Sequence, residues 1–100
     1  IARLYRAAEA GIVDDVKELL QKTVPLNIKD SSSRTPLWIA ASRGHTDVVK
    51  LLTQSSETDV DCLSTSQRSP IFWPSAKGNE EIVKVLVSAG TKIHFKDIEG

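Results

Sequence analysis

A chain of 100 residues is long enough for one modest domain with a core of its own. Its 13 basic and 13 acidic residues cancel, so bulk charge favours neither a nucleic acid nor a membrane surface, and only the distribution of charge can matter. The single cysteine, Cys62, excludes an internal disulfide framework and fits a reducing intracellular compartment, cytoplasmic or nuclear. No apolar run approaches the roughly 18–20 residues of a membrane span.

Taken in chain order, the periodicity predicts short helices in pairs. The first pair is expected at residues 3–9 and 13–22, with Leu4, Ala7 and Ala8 on one face of the first helix and Gly11 ending it. The second pair is expected at 36–43 and 47–54. Here Thr35 can cap the helix with its hydroxyl, and Pro36 suits the first helical position because the amide it lacks would be unpaired anyway. Leu37, Ala40 and Ala41 repeat the apolar face, and Gly44 ends the helix. The third pair is expected at 70–77 and 80–88, opened by Pro70 and punctuated by Gly78 and then Gly90. Thr23 and Ser56 hold the place of Gly90 less well in the first two units.

These pairs are one unit written three times. Gly11, Gly44 and Gly78 stand 33 and 34 residues apart; Leu4, Leu37 and Ile71 share a register. Val16, Val49 and Val83 align, as do Leu19, Leu52 and Leu86. Pro70 follows Pro36 by 34 because the loop at 55–61 carries one extra residue. The stretches 26–34 and 60–68 are polar and fixed in phase, so they read as protruding turns rather than linkers. A helix pair of this size cannot bury its apolar face alone, and stacking neighbours gives a quasi-one-dimensional solenoid.

With T-P-L-W-I-A-A, G-H-T-D-V-V-K-L-L and T-D-V-D in view, the chain resembles an ankyrin-repeat array over essentially all of its length. The stretch D-S-S-S-R-T-P-L-W-I-A-A-S-R-G-H is similar to the family's D-x-x-G-x-T-P-L-H-x-A-A-x-x-G-H. The resemblance implies an all-α solenoid of stacked helix–turn–helix pairs with protruding β-turn or hairpin loops. Its repeats run about 1–29 (partial), 30–63 and 64–96, with a further repeat starting at 97–100. Because the chain begins with Ile1 and ends with a D-x-x-G match and apolar Ile93, Phe95 and Ile98, it is expected to be a piece of a longer array.

Three kinds of departure from the family pattern matter. Pro74 and Ser75 replace the alanine pair, and a mid-helix proline costs about 3 kcal/mol. The third unit's first helix is therefore expected to be distorted, and Pro74→Ala to raise the melting temperature. Trp38 and Phe72 replace the histidine that in the family bridges the turn, so these turns must be held differently. Ser33 and Gln67 replace the turn glycine.

No catalytic constellation emerges. His45 and His94 lie in different units, and His45 is expected to make a structural hydrogen bond at the start of a second helix. Cys62 lies at a turn base with no nearby histidine in sequence, so it reads as a small packed residue. No Cys or His pair has zinc spacing and no Gly-rich phosphate loop is present, so neither enzyme activity nor a cofactor or metal is expected.

The resemblance implies instead a protein-interaction module, in which turn tips and first helices line a concave groove. Carried over by position, the tips are Lys29, Ser31, Ser32 and Arg34, then Leu63, Thr65, Ser66 and Arg68. The helix edge supplies Glu9, Ala10, Ser42, Arg43, Ala76 and Lys77; Trp38 and Phe72 beside it either anchor a partner or pack against their own turns, and Lys96, Ile98 and Glu99 begin a further row. Lys29, Arg34, Arg43, Arg68, Lys77 and Lys96 make that face basic against Glu9 and Glu99. Asp14, Asp15, Glu18, Asp47, Glu80 and Glu81 gather on the second helices and outer loops. An acidic protein segment is the expected partner, alongside neighbouring repeats of the parent chain; no nucleic acid or membrane insertion is expected. The rival reading is a spacer that touches only other repeats.

Overall fold

The punctuation of the sequence becomes six short helices in the computed structural model, which describes residues 3–22 and 24–91. They are α1 (Arg3–Ala10), α2 (Val13–Leu20), α3 (Pro36–Ser42), α4 (Thr46–Thr53), α5 (Phe72–Lys77) and α6 (Glu80–Ser88), and no strand occurs among the described residues. Thr35 caps α3 as expected, its Oγ1 accepting from the Trp38 amide at 3.2 Å. Asn79 caps α6 in the same way through the Ile82 amide. Every helix end falls within two residues of expectation, and both ends of α6 coincide with it. Thr23, Ile93, His94, Phe95 and residues 96–100 lie outside the described residues.

Within each unit the two helices pack together. Between units α1 lies against α3 and α3 against α5, while α2 lies against α4 and α4 against α6. The aligned apolar positions meet at these contacts: Ala8, Val16, Leu37, Ala40, Val49, Leu52, Ile82 and Leu86 are all fully buried. Alanine on the facing sides of α1 and α3 lets the helix backbones approach closely. Gly11 has a positive φ of 74°, and a Cβ there would sit 2.7 Å from the His45 ring. That ring is fixed by a 2.9 Å hydrogen bond between Nε2 and the Glu9 carbonyl, the structural role expected of it.

Helix α5 corrects the expected helix at 70–77. Pro70 and Ile71 form a turn closed by Phe72 N–H to the Ser69 carbonyl at 3.0 Å, and the helix starts two residues late. Pro74 thereby falls in the first turn, where its missing amide has no intrahelical acceptor to lose and its ring avoids a clash with residue 70. The distortion is a shortening, and it removes the reason for a gain on replacing the proline. The ring itself is fully buried.

Both protruding turns have the same construction. Ser33 N–H donates to the Asp30 carbonyl at 2.9 Å and Asp30 N–H to the Arg34 carbonyl at 3.0 Å. Gln67 with Ser64, and Ser64 with Arg68, repeat this at 2.8 and 3.0 Å. Ser33 and Gln67 stand at φ 60° and 63°, the left-handed conformation for which the family pattern supplies glycine. The Asp30 carboxylate secures the first turn, accepting from the Ser32 and Arg34 amides at 2.8 and 2.9 Å. In the second turn the Ser64 hydroxyl does so more loosely, at 3.3 and 3.4 Å. The tips are joined by Thr65 N–H to the Ser32 carbonyl at 2.9 Å.

Aromatic residues of the first helices reach forward to the next turn in place of the missing histidine. Tyr5 donates its hydroxyl to Asp30 Oδ2 at 2.5 Å, and Trp38 Nε1 donates to the Arg68 carbonyl at 2.7 Å. Burial first, then the Asp30 hydrogen bond and charge, push the Tyr5 hydroxyl up to about 12. Burial alone would raise Asp30, but hydrogen bonds from Tyr5, Arg34 and Ser32 together hold it below its ordinary 3.8. Beside the turns, Cys62 Sγ lies 3.2 Å from Thr35 Oγ1, and burial raises its thiol.

Three outcomes follow from this architecture, each checked by thermal melting. Ser33→Gly and Gln67→Gly should each stabilise by about 1 kcal/mol, raising the melting temperature by ~4–8 °C through relief of left-handed strain. Pro74→Ala should lower it, by about 1–2 kcal/mol, through lost ring burial and a freer unfolded chain. Asp30→Asn should cost about 1–2 kcal/mol at neutral pH by removing charged hydrogen bonds. Because Asp30 is depressed in the fold, its contribution is present above its unfolded value and lost as pH falls through the folded one. The gap between Asp30→Asn and the natural chain should therefore close as acid is added below about pH 4.

Candidate functional site

Among the described residues, the two turns and the edges of α1, α3 and α5 carry the residues expected to touch a partner; Lys96, Ile98 and Glu99 lie outside them. Lys29, Ser31, Arg43, Thr65, Ser66, Arg68 and Lys77 are exposed; Ser32, Arg34, Ser42 and Phe72 are half-buried. The turn tips touch through Ser32 and Thr65, and the helix edges through two further links. Arg43 Nη2 lies 3.3 Å from Glu9 Oε2, and Lys77 Nζ donates to the Ser42 carbonyl at 2.8 Å.

Two expectations need correction. Trp38, expected as a partner anchor, is 6% exposed, with its indole N–H committed to the Arg68 carbonyl. Its surface is spent within the fold, which is the work the absent histidine would have done. The charge balance also changes, because Asp30 had been read as a turn residue and not counted. Arg34 Nε pairs with Asp30 Oδ2 at 2.8 Å, and its guanidinium carbon sits 5.7 Å from the Trp38 ring centre. Arg34 and Arg43 thus both have carboxylates. Lys29, Arg68 and Lys77 form no ion pair among the described residues.

The richest part of the face was only partly visible in the sequence. The Arg68 guanidinium lies 4.5 Å from the Phe72 ring centre and 5.4 Å from that of Trp73. Lys77 Nζ approaches Trp73 to 5.9 Å, and the two rings meet edge to face at 5.0 Å. Cations held over aromatic faces in this way gain on the order of 0.5–1 kcal/mol at exposed sites. Tyr5 and Asp30 complete the face at its other end. Tyr5 could have been found from its register, because it aligns with Trp38 and Phe72.

Apart from Glu9 and Asp30, the acids named in the sequence lie elsewhere: Asp14, Asp15, Glu18, Asp47, Glu80 and Glu81 are all exposed on α2, α4 and α6. Lys50 and Glu81 pair at 2.8 Å there, each proton equilibrium shifted toward the charged form, first by that hydrogen bond. No cluster of His, Cys, Asp and Glu suited to a metal ion occurs among the described residues, and no described helix is long and apolar enough to cross a membrane.

Comparison with known proteins agrees with the repeat geometry. A profile of ankyrin repeats in three copies matches residues 4–97. Ankyrin repeat domain-containing protein 7 of Homo sapiens is 45% identical over 53 residues, 52% of this chain and 21% of that protein. The 60 kDa lysophospholipase of Mus musculus is 46% identical over 48 residues, 48% of this chain and 8% of that protein. Acyl-CoA-binding domain-containing protein 4 of Oryza sativa subsp. japonica is 39% identical over 49 residues, 49% of this chain and 15% of that protein. The matched region spans about a fifth or less of each relative, so the likeness concerns the repeats and not the whole proteins. With the pattern matched almost end to end and its helix pairs stacked in register, the chain belongs to the ankyrin-repeat family, whose repeats serve generally as protein–protein interaction modules.

Proposed function

We propose that the face formed by the two turns and the edges of α1, α3 and α5 binds an acidic segment of another protein. One observation carries this reading: in a chain of zero net charge, Lys29, Arg68 and Lys77 form no ion pair among the described residues, while Asp14, Asp15, Glu18, Asp47, Glu80 and Glu81 lie exposed on the second helices. Such separation favours one partner polarity and speeds encounter with it. Binding energy at such surfaces concentrates in aromatic and arginine side chains, and Arg68, Phe72 and Trp73 supply both. No covalent step is needed.

A second reading, internal spacer repeats within a longer array, draws support from Val87 of α6, an apolar side chain that is 43% exposed. A spacer would gain stability from added repeats and bind nothing itself.

The two are separated by reversing Lys29, Arg68 and Lys77 together to Glu. These residues are exposed and hold no ion pair among the described residues, so the reversal removes only their ring contacts and the Lys77 hydrogen bond to Ser42, and the fold should survive at a somewhat lower melting temperature. Affinity for an acidic peptide, measured by calorimetry, should fall by about tenfold or more. Unchanged affinity with an intact fold would overturn the basic-face reading.

A further inference from the structure

The two turns occupy equivalent places, and comparing them residue by residue shows one difference with a chemical consequence. Asp30 and Ser64 stand in the same position, as do Arg34 and Arg68. In the first turn the side-chain oxygen of Asp30 holds the Ser32 and Arg34 amides, and its second oxygen takes the Arg34 side chain at 2.8 Å. In the second turn the Ser64 hydroxyl holds the Ser66 and Arg68 amides but offers nothing to the Arg68 side chain. The turn survives and the carboxylate is gone.

Arg68 is not left loose by this loss. Its guanidinium is laid against the rings of Phe72 and Trp73, at 4.5 and 5.4 Å from their centres. These contacts leave its N–H groups, the part that recognises a carboxylate as a fork, unengaged by any hydrogen bond among the described residues. Lys77, on the other side of Trp73, adds a second positive charge. The aromatic platform orders the arginine in advance, so a ligand need not meet that entropy cost.

We infer that Arg68, ordered on Phe72 and Trp73 beside Lys77, is a vacant carboxylate seat that receives an aspartate or glutamate side chain of the partner. That side chain takes the place Asp30 fills for Arg34 within the chain. The inference rests on the acidic-segment reading above and sharpens it to one position. Carboxylate is preferred over other anions because the same fold already pairs the equivalent arginine with one.

The test follows the Arg34 and Arg68 Nε–H resonances by NMR while an acetylated oligoglutamate peptide is added at low salt, with oligoglutamine as control. The Arg68 signal should move and saturate, and the Arg34 signal should stay in place because its edge is occupied. Ser64→Asp should refill the seat from within and weaken the peptide by about tenfold, with the melting temperature held or raised. Arg68→Lys, which keeps the charge and loses the fork, should weaken binding as well and covers the case in which Ser64→Asp fails to fold. If backbone amides of the two turns shift while Arg68 Nε does not, or if both variants bind as the natural chain does, the seat is overturned and the basic face stands. If oligoglutamate moves no resonance anywhere, the acidic-segment reading and the seat fall together.

Discussion

A pair of helices six to nine residues long has no interior, and everything in this protein depends on how neighbouring pairs supply one for each other. Burying Val16, Leu37, Val49, Leu52, Ile82 and Leu86 to completion is possible only at the contacts between units. Non-directional packing would allow the pairs to slide. Register is set by directional bonds that each cross about one repeat: Tyr5 to Asp30, Trp38 to the Arg68 carbonyl, and His45 to the Glu9 carbonyl. At the outer edge Asn27 grips the Glu57 carbonyl and the Asp59 amide at 2.8 and 2.7 Å, and Thr91 reaches Asp61 at 2.6 Å.

Much of this architecture was legible because repeats display their logic several times. Thr35, Pro36, Ala40, Ala41 and Gly44 each have a local physical reason, and recurrence at 33 or 34 residues removed the ambiguity that short apolar runs usually carry. The start of α5 was misplaced because Pro70 was taken by analogy with Pro36. The analogy failed once Pro74 entered: a proline is comfortable in a first turn, so the helix moved its beginning to make one around it. The left-handed turn residues were legible as positions, and the structure keeps the turn despite the side chains at Ser33 and Gln67.

The face for a partner was legible in position and less so in chemistry. Which cations are free depends on contacts that no local pattern announces. Arg43 meets Glu9 across 34 residues, and the Trp38 indole meets a backbone carbonyl 30 residues away. Asp30 illustrates the difficulty from another side. As a turn residue it is explained by its amide hydrogen bonds, and that sufficient explanation hid its second oxygen, which neutralises Arg34. Trp73 aligns with Ile39, which is buried in α3, yet it is half-buried beside two cations, a difference that no local pattern announces.

The aromatic column has a further property that follows from side-chain chemistry alone. Tyr5 carries an O–H and Trp38 an N–H, and each fastens its own repeat to the turn ahead; Phe72, third in the column, carries neither. The series of directional fastenings therefore closes at Phe72. A hydrocarbon ring can offer a neighbour only contact, which favours burial without fixing direction, so the column joins two directional bonds to one purely apolar member.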